Sequence, residues 1–199
     1  MTEGHQASKS RRTRERIVAA TVSLIREGGL AAASAKRIAA ASGVTWGAAQ
    51  HHFGSKDQVL DAVVVLSHER FLARLADVDQ GQGSIADRAS VLVDRMWDHY
   101  QEDVYLATVE IIMAGRDMDS TEVGQTVLQW PSGDHIDMMM RIFGDSGVPS
   151  ESLLEALIFA HCLLTGMTIN KLLERDAVRL GHHLDHCKQA LVAMLDQRG

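Results

Sequence analysis

Residues 34–60, SAKRIAAASGVTWGAAQHHFGSKDQVL, constrain the fold more than any other stretch of the chain. Ser34 can cap a short helix that runs to Ser42. Gly43 follows, and glycine readily takes the left-handed conformation of a tight turn. Thr45 can then cap a second short helix that reaches about His52. Ser55 and Gln58 have the S-x-x-Q spacing of a capping box, which opens a third helix. Upstream, Ile17, Ala20, Thr21, Leu24 and Ile25 recur at spacings of three and four, so residues 10–27 form an amphipathic helix. Gly28 and Gly29 end it.

Two short helices joined by a tight glycine turn form a helix-turn-helix unit. Its second helix has the dimensions of the DNA major groove. The small side chains Ala39, Ala40 and Ala41 are expected to let the first helix of the unit cross the second closely. Val44 is expected to plug the turn, and Ile38 and Phe53 to anchor the pair on the helix of residues 10–27.

Charge points the same way. The chain is acidic as a whole, with a net charge of −6. Residues 1–56 nevertheless hold nine Lys or Arg against three acids, a balance of +6. The remainder holds 11 basic and 23 acidic side chains, a balance of −12. A basic head on an acidic body implies that the head alone meets an anionic partner.

The rest of the chain reads as helix. Segments of helical periodicity fall at about 55–79, 84–101, 103–115, 119–143, 150–174 and 178–196. Residues 80–84, QGQGS, are the expected hinge. The last two segments are long and amphipathic. Leu153, Leu154, Leu157, Ile158, Leu164, Thr168, Ile169 and Leu172 form one apolar stripe, and Leu184, Cys187, Leu191, Met194 and Leu195 form another. The fold class is all-α. Cys162 and Cys187 lie far apart in apolar helical patterns, which fits a reducing compartment and no disulfide framework. The polar, basic start is unlike a signal peptide. No apolar run reaches the roughly 18 residues of a membrane span, so no membrane association is expected.

TRERIVAATVSLIREGG and KRIAAASGVTWGAAQHHFGSKDQVL, within about residues 12–60, resemble the tetracycline-repressor (TetR) family of bacterial transcription regulators. Residues 61–199 match that family only in length and helical pattern. The resemblance implies an N-terminal three-helix DNA-binding domain followed by a larger helical domain for ligand binding and dimerisation. The expected division is a disordered basic arm over 1–9, the DNA-binding domain over 10–56 and the ligand-binding and dimerisation domain over 57–199.

By position in the motif, the resemblance places Thr45, Trp46 and Gly47 at the start of the recognition helix, facing base edges. It places His52 and Lys56 at the phosphate backbone, with Ser34, Lys36 and Arg37 near phosphates from the first helix of the unit. Gln50 stands where the family often has a phosphate-touching Tyr, and as Gln it can instead form a bidentate pair with adenine. Ala49 is smaller than the Leu usual in the family. Trp46 can contact a thymine methyl or pack against the neighbouring helix. His51 points away from the Gln50 face and reads as structural.

The body is rich in Met and aromatic residues, which suit adaptable cavities as well as ordinary cores. The expected ligand pocket comprises Met96, Trp97, Tyr100, Tyr105, Met113, Trp130, Phe143, Phe159 and His161, with His99 as a further polar group. The function expected is a sequence-specific DNA-binding regulator, a repressor released from a near-palindromic operator by a small, largely apolar effector. It is expected to act as a cytoplasmic homodimer through the last two helices, with no cofactor. An activator is an alternative. So is a metal-sensing repressor built on GHHLDHC, where His182 and His186 share a helix face beside His183, Asp185 and Cys187, although one such pair is a weak metal signal. Nothing resembles G-x-S-x-G, a Gly-rich phosphate loop or H-E-x-x-H, so enzymatic activity is not expected.

Overall fold

A computed structural model describes residues 2–78, 83–115, 132–173 and 180–196. Among them the regular structure is helical: α1 (Thr2–Gly28), a 3-10 turn (Leu30–Ala32), α2 (Ala35–Ser42), α3 (Trp46–Phe53), α4 (Lys56–Leu75), α5 (Ile85–Tyr100), α6 (Asp103–Gly115), α7 (Gly133–Phe143), α8 (Ser150–Leu173) and α9 (Leu180–Leu195). The all-α expectation holds. The helix ends fall close to the capping signals. One difference is at the start, where α1 begins at Thr2 rather than at residue 10. Residues 2–9 contain no proline, and they extend a helix already nucleated downstream, which costs little per residue.

The chain divides into two compact units, one of residues 1–68 and 102–130, the other of residues 69–101 and 131–199. This grouping differs from a boundary at 56/57. The first part of α4 and all of α6 belong with the N-terminal helices. The reason is burial. Val59, Leu60, Val63 and Val64 of α4, and Val104, Ala107 and Ile111 of α6, share one core with Ile17, Val18, Leu24, Ile25, Ile38, Ala49 and Phe53. Arg26 of α1 adds ion pairs to Asp103 at 3.2 Å and Glu110 at 3.5 Å on α6. Both are partly solvated and worth little alone. Gly29 ends α1 at φ 71°, a left-handed backbone that favours glycine.

In the second unit α5, α7, α8 and α9 pack together. Ser84 caps α5 in a reciprocal box with Asp87, and those hydrogen bonds hold the Asp87 carboxyl below its usual pKa. Arg88, 5% exposed, donates to the Ile142 carbonyl at 2.7 Å and pairs with Asp145 at 2.5 Å, clamping α5 to the end of α7. That hydrogen bond lowers the Asp145 pKa. The core contains Leu92, Met96, Met138, Met139, Ile142, Phe143, Leu153, Leu157 and Leu191.

α8 corrects the expectation that no segment could span a membrane. Residues 150–171 are long and apolar enough by length and composition. Glu155, His161 and Asn170 interrupt the apolar run, so counting uninterrupted residues missed it. Much of the helix is core: Leu153, Ala156, Leu157, Ala160, Leu164 and Thr168 are buried on one face. Phe159, Cys162 and Gly166 are exposed on another.

Candidate nucleic-acid interface and effector region

The candidate interface is built from two capped helices. Ser34 takes an extended conformation, and its hydroxyl accepts from the Arg37 amide at 3.4 Å, starting α2. Gly43 closes α2 at φ 66° and ψ 34°. The Val44 amide then donates back to the Ala39 carbonyl at 3.1 Å, so the turn is tight. Thr45 caps α3, accepting from the Ala48 amide at 3.1 Å. Ser55 accepts from the Gln58 amide at 3.1 Å at the start of α4. Each cap satisfies an amide that the helix itself leaves unpaired.

α3 has two different sides. Ala49 is fully buried and Phe53 is 8% exposed. Trp46 is half-buried and packs against the same core. Positions 46, 49 and 53 form one stripe at spacings of three and four, facing inward. The bulk of Trp46 therefore lies beside the small Ala49 under the helix, and the packing reading of Trp46 is the one its position favours. Of the expected small-residue face of α2, Ala39 is buried while Ala40 and Ala41 are exposed.

The other side of α3 is open. Thr45, Gly47 and Gln50 are exposed, as are Ser34, Lys36 and Arg37 from the preceding cap and helix. His52 and Lys56 are half-buried. A Cβ added at Gly47 would meet nothing within 4 Å, so the fold does not require glycine there. His51 is exposed, with its ring 5.8 Å from that of His52; it is not packed inward as expected of a structural residue.

Sequence reasoning missed what holds the C-terminal end of α3. Arg14 donates to the His52 carbonyl, and its guanidinium carbon lies 4.1 Å from the Phe53 ring centroid. A cation there complements the negative end of the helix dipole and the face of the aromatic ring. Ser10 Oγ lies 3.5 Å from His52 Nδ1. The i, i+4 spacing of Ser10 and Arg14 was visible, but their partner was not.

The expected pocket residues do not all lie in one unit. Tyr105 and Met113 belong to α6 in the first unit. Tyr105 is buried there and Met113 is 58% exposed. Met96, Tyr100 and Phe143 are buried in the second unit, Trp97 and His161 are half-buried, and Phe159 is 38% exposed. Trp130 lies outside the described residues. Within the second unit an aromatic and imidazole cluster forms around Phe71. Its ring centroid lies 5.6 Å from His99, 6.4 Å from Tyr100 and 5.6 Å from His135.

Tyr100 Oη is 2.5 Å from His161 Nδ1, and burial lowers the His161 pKa to about 4. The imidazole is neutral near neutral pH, so Nδ1 can accept from the tyrosine hydroxyl. His135 Nδ1 accepts from the Ser132 amide at 3.1 Å, which leaves the proton of a neutral ring on Nε2. Phe71 and His135 escaped sequence reasoning. The only signals were the i, i+4 series Ser67, Phe71 and Leu75, and a histidine at the third position of a helix opened by Ser132.

The histidines of α9 do not converge. His182, His183, Asp185 and His186 are exposed whereas Cys187 is fully buried. Burial raises the Cys187 thiol to about 11, the opposite of what a thiolate ligand needs. Among the described residues no group of three His, Cys, Asp or Glu side chains is arranged to hold a metal. The metal-sensing alternative is not favoured.

Comparison with known proteins follows the same lines. Residues 17–63 match the family model described as bacterial regulatory proteins, tetR family. No curated protein matches the chain in sequence. Among solved structures, a transcriptional regulator from Rhodococcus sp. Rha1 is similar at TM-score 0.69 and 20% identity, covering 92% of this chain and 96% of that one. The SmeT–triclosan complex is similar at TM-score 0.64 and 23% identity, covering 92% and 90%. PfmR, a TetR family transcriptional regulator from Thermus thermophilus, is similar at TM-score 0.60 and 16% identity, covering 92% and 99%. At these identities the structural likeness speaks for the fold, and the family model speaks for the helix-turn-helix head. Residues 17–63 are thus similar in sequence to the DNA-binding head of bacterial regulatory proteins of the tetR family, and the chain shares its all-α fold with solved transcriptional regulators.

Proposed function

We propose that the protein is a cytoplasmic homodimeric repressor that leaves a near-palindromic operator when a small, largely apolar molecule binds its body. The carrying observation is the two-sided α3. Trp46, Ala49 and Phe53 hold one face in the core, while Thr45, Gly47 and Gln50 stay exposed around it. Lys36, Arg37 and Lys56 add charge for phosphates, with Ser34 and His52 as further polar contacts to the backbone. Gln50 and the open backbone at Gly47 are the base-reading elements in this account. Trp46 contributes at most an edge.

Dimerisation is supported by α8. Phe159, Cys162 and Gly166 are exposed on a helix whose opposite face is core. A second copy seated on α8 and α9 would cover them, and a two-fold dimer presents two recognition helices to two half-sites. The effector region of the proposal is the second unit, around Met96, Trp97, Tyr100, Phe143 and His161. The neutral His161 imidazole and the Tyr100 hydroxyl among apolar side chains suit a small molecule with few polar groups. SmeT, of similar fold, was solved with triclosan. The protein acts by binding, with no catalysis and no cofactor.

The test is reciprocal linkage. A compound that raises the melting temperature is titrated against the protein–duplex complex. The expected outcome is a weakened duplex, with the duplex weakening the compound by the same factor. A compound that stabilises the protein and leaves duplex affinity untouched would count against effector control.

A further inference from the structure

We propose that the outer face of α1, ahead of the family-matched region, is a second DNA-binding surface that holds phosphates flanking the stretch read by α3. α1 begins at Thr2, whereas the family match begins at residue 17. Lys9, Arg12 and Arg16 follow one another at spacings of three and four, so they share one side of the helix. All three are exposed. Among the described residues none of them is ion-paired to a carboxylate, whereas Arg11, on a different side, pairs with Glu15 at 3.6 Å. Like charges three and four residues apart repel each other mildly, and an external polyanion relieves that repulsion.

The stripe lies on the segment of α1 that packs against the end of α3, on the side turned away from those contacts. Ser10 lies against His52, and Arg14 holds the His52 carbonyl and the Phe53 ring. Both residues are interleaved with the stripe on one helix. The contacts that fix this segment to the end of α3 therefore also fix Lys9, Arg12 and Arg16 relative to whatever α3 reads. With Lys36, Arg37 and Lys56, the stripe adds to the positive charge of the head. Phosphates carry no sequence information directly, so this surface adds affinity and footprint rather than base preference. The inference rests on α3 binding DNA.

The experiment is a salt titration by fluorescence anisotropy, using the best duplex that the wild-type protein selects from a random library. The triple variant K9A/R12A/R16A should lower the slope of log K against log salt by about 2–3 per subunit, at roughly 0.9 for each phosphate no longer neutralised. Its ranking of duplex sequences should be unchanged. R11A should keep the wild-type slope. The triple variant should melt like the wild type, because the three side chains are exposed. If it does not, the single variant R12A should lower the slope by about 0.9. A wild-type slope in these variants overturns the inference while leaving DNA binding by α3 intact. So does a changed sequence ranking at an unchanged slope, which would make the segment a support for α3. Absence of duplex binding by the wild type overturns the reading of α3 and this inference with it.

Discussion

Gly47 is the residue whose identity the fold explains least. It sits in the first turn of α3 without a left-handed backbone, and a Cβ there would meet nothing within 4 Å. Glycine in a helix interior costs about 1 kcal/mol relative to alanine. Gly47→Ala is therefore expected to stabilise the protein by about 0.5–1 kcal/mol in thermal or urea melts. The same variant should weaken the selected duplex at least tenfold, because in the proposed interface the methyl group would stand where the backbone approaches DNA. Unchanged duplex affinity would remove Gly47 from the interface. Trp46 makes the opposite case. It is packed on the head core beside the fully buried Ala49. Trp46→Ala should cost about 2 kcal/mol of stability, less than a fully buried tryptophan because the ring is half-exposed. Duplex affinity of the folded fraction should change little; a large loss with unchanged melting would restore the base-contact role.

At the scale of elements, what was legible in the sequence was local. Ser34, Gly43, Thr45, Ser55 and Ser84 each mark a helix boundary through a hydrogen bond or a backbone conformation that spans only a few residues, and each boundary stands where expected. Helical periodicity likewise carried α5, α6 and α8. What was not legible was non-local. Nothing near Arg14 in the chain shows that its guanidinium will end on α3. The stripe Val104, Ala107 and Ile111 looks like body until its burial partners on α1 and α4 are known. Likewise, Phe71 and His135 become neighbours only through tertiary packing. α8 carries Phe159 at 38% exposure, on the face proposed for a second copy. Phe159→Asp should shift the protein from dimer to monomer in analytical ultracentrifugation, since a charge on that face must be desolvated for a second copy to dock. A variant that sediments as the wild-type dimer would place the interface elsewhere.

For the molecule as a whole, acid sensitivity follows from His161. Its imidazole takes a proton near the ordinary value of 6.5 in the unfolded chain but only at about 4 in the folded one. Between those values the unfolded state binds more protons, so stability falls as pH falls from about 6.5 to 4. The contribution is at most about 3–4 kcal/mol, since a pKa displaced by one pH unit corresponds to roughly 1.4 kcal/mol. Urea midpoints should fall through this window in the wild type and fall less in His161→Gln; parallel curves would assign the acid sensitivity to other groups. The central claim is that a basic, helix-turn-helix head reads duplex DNA through the open face of α3. Selection from a random duplex library, with Gln50→Ala run beside the wild type, tests it most directly. The account predicts enrichment of one near-palindromic sequence bound with steep salt dependence, and loss of preference at specific base positions in Gln50→Ala. Weak binding with no sequence enriched by the wild type would contradict it.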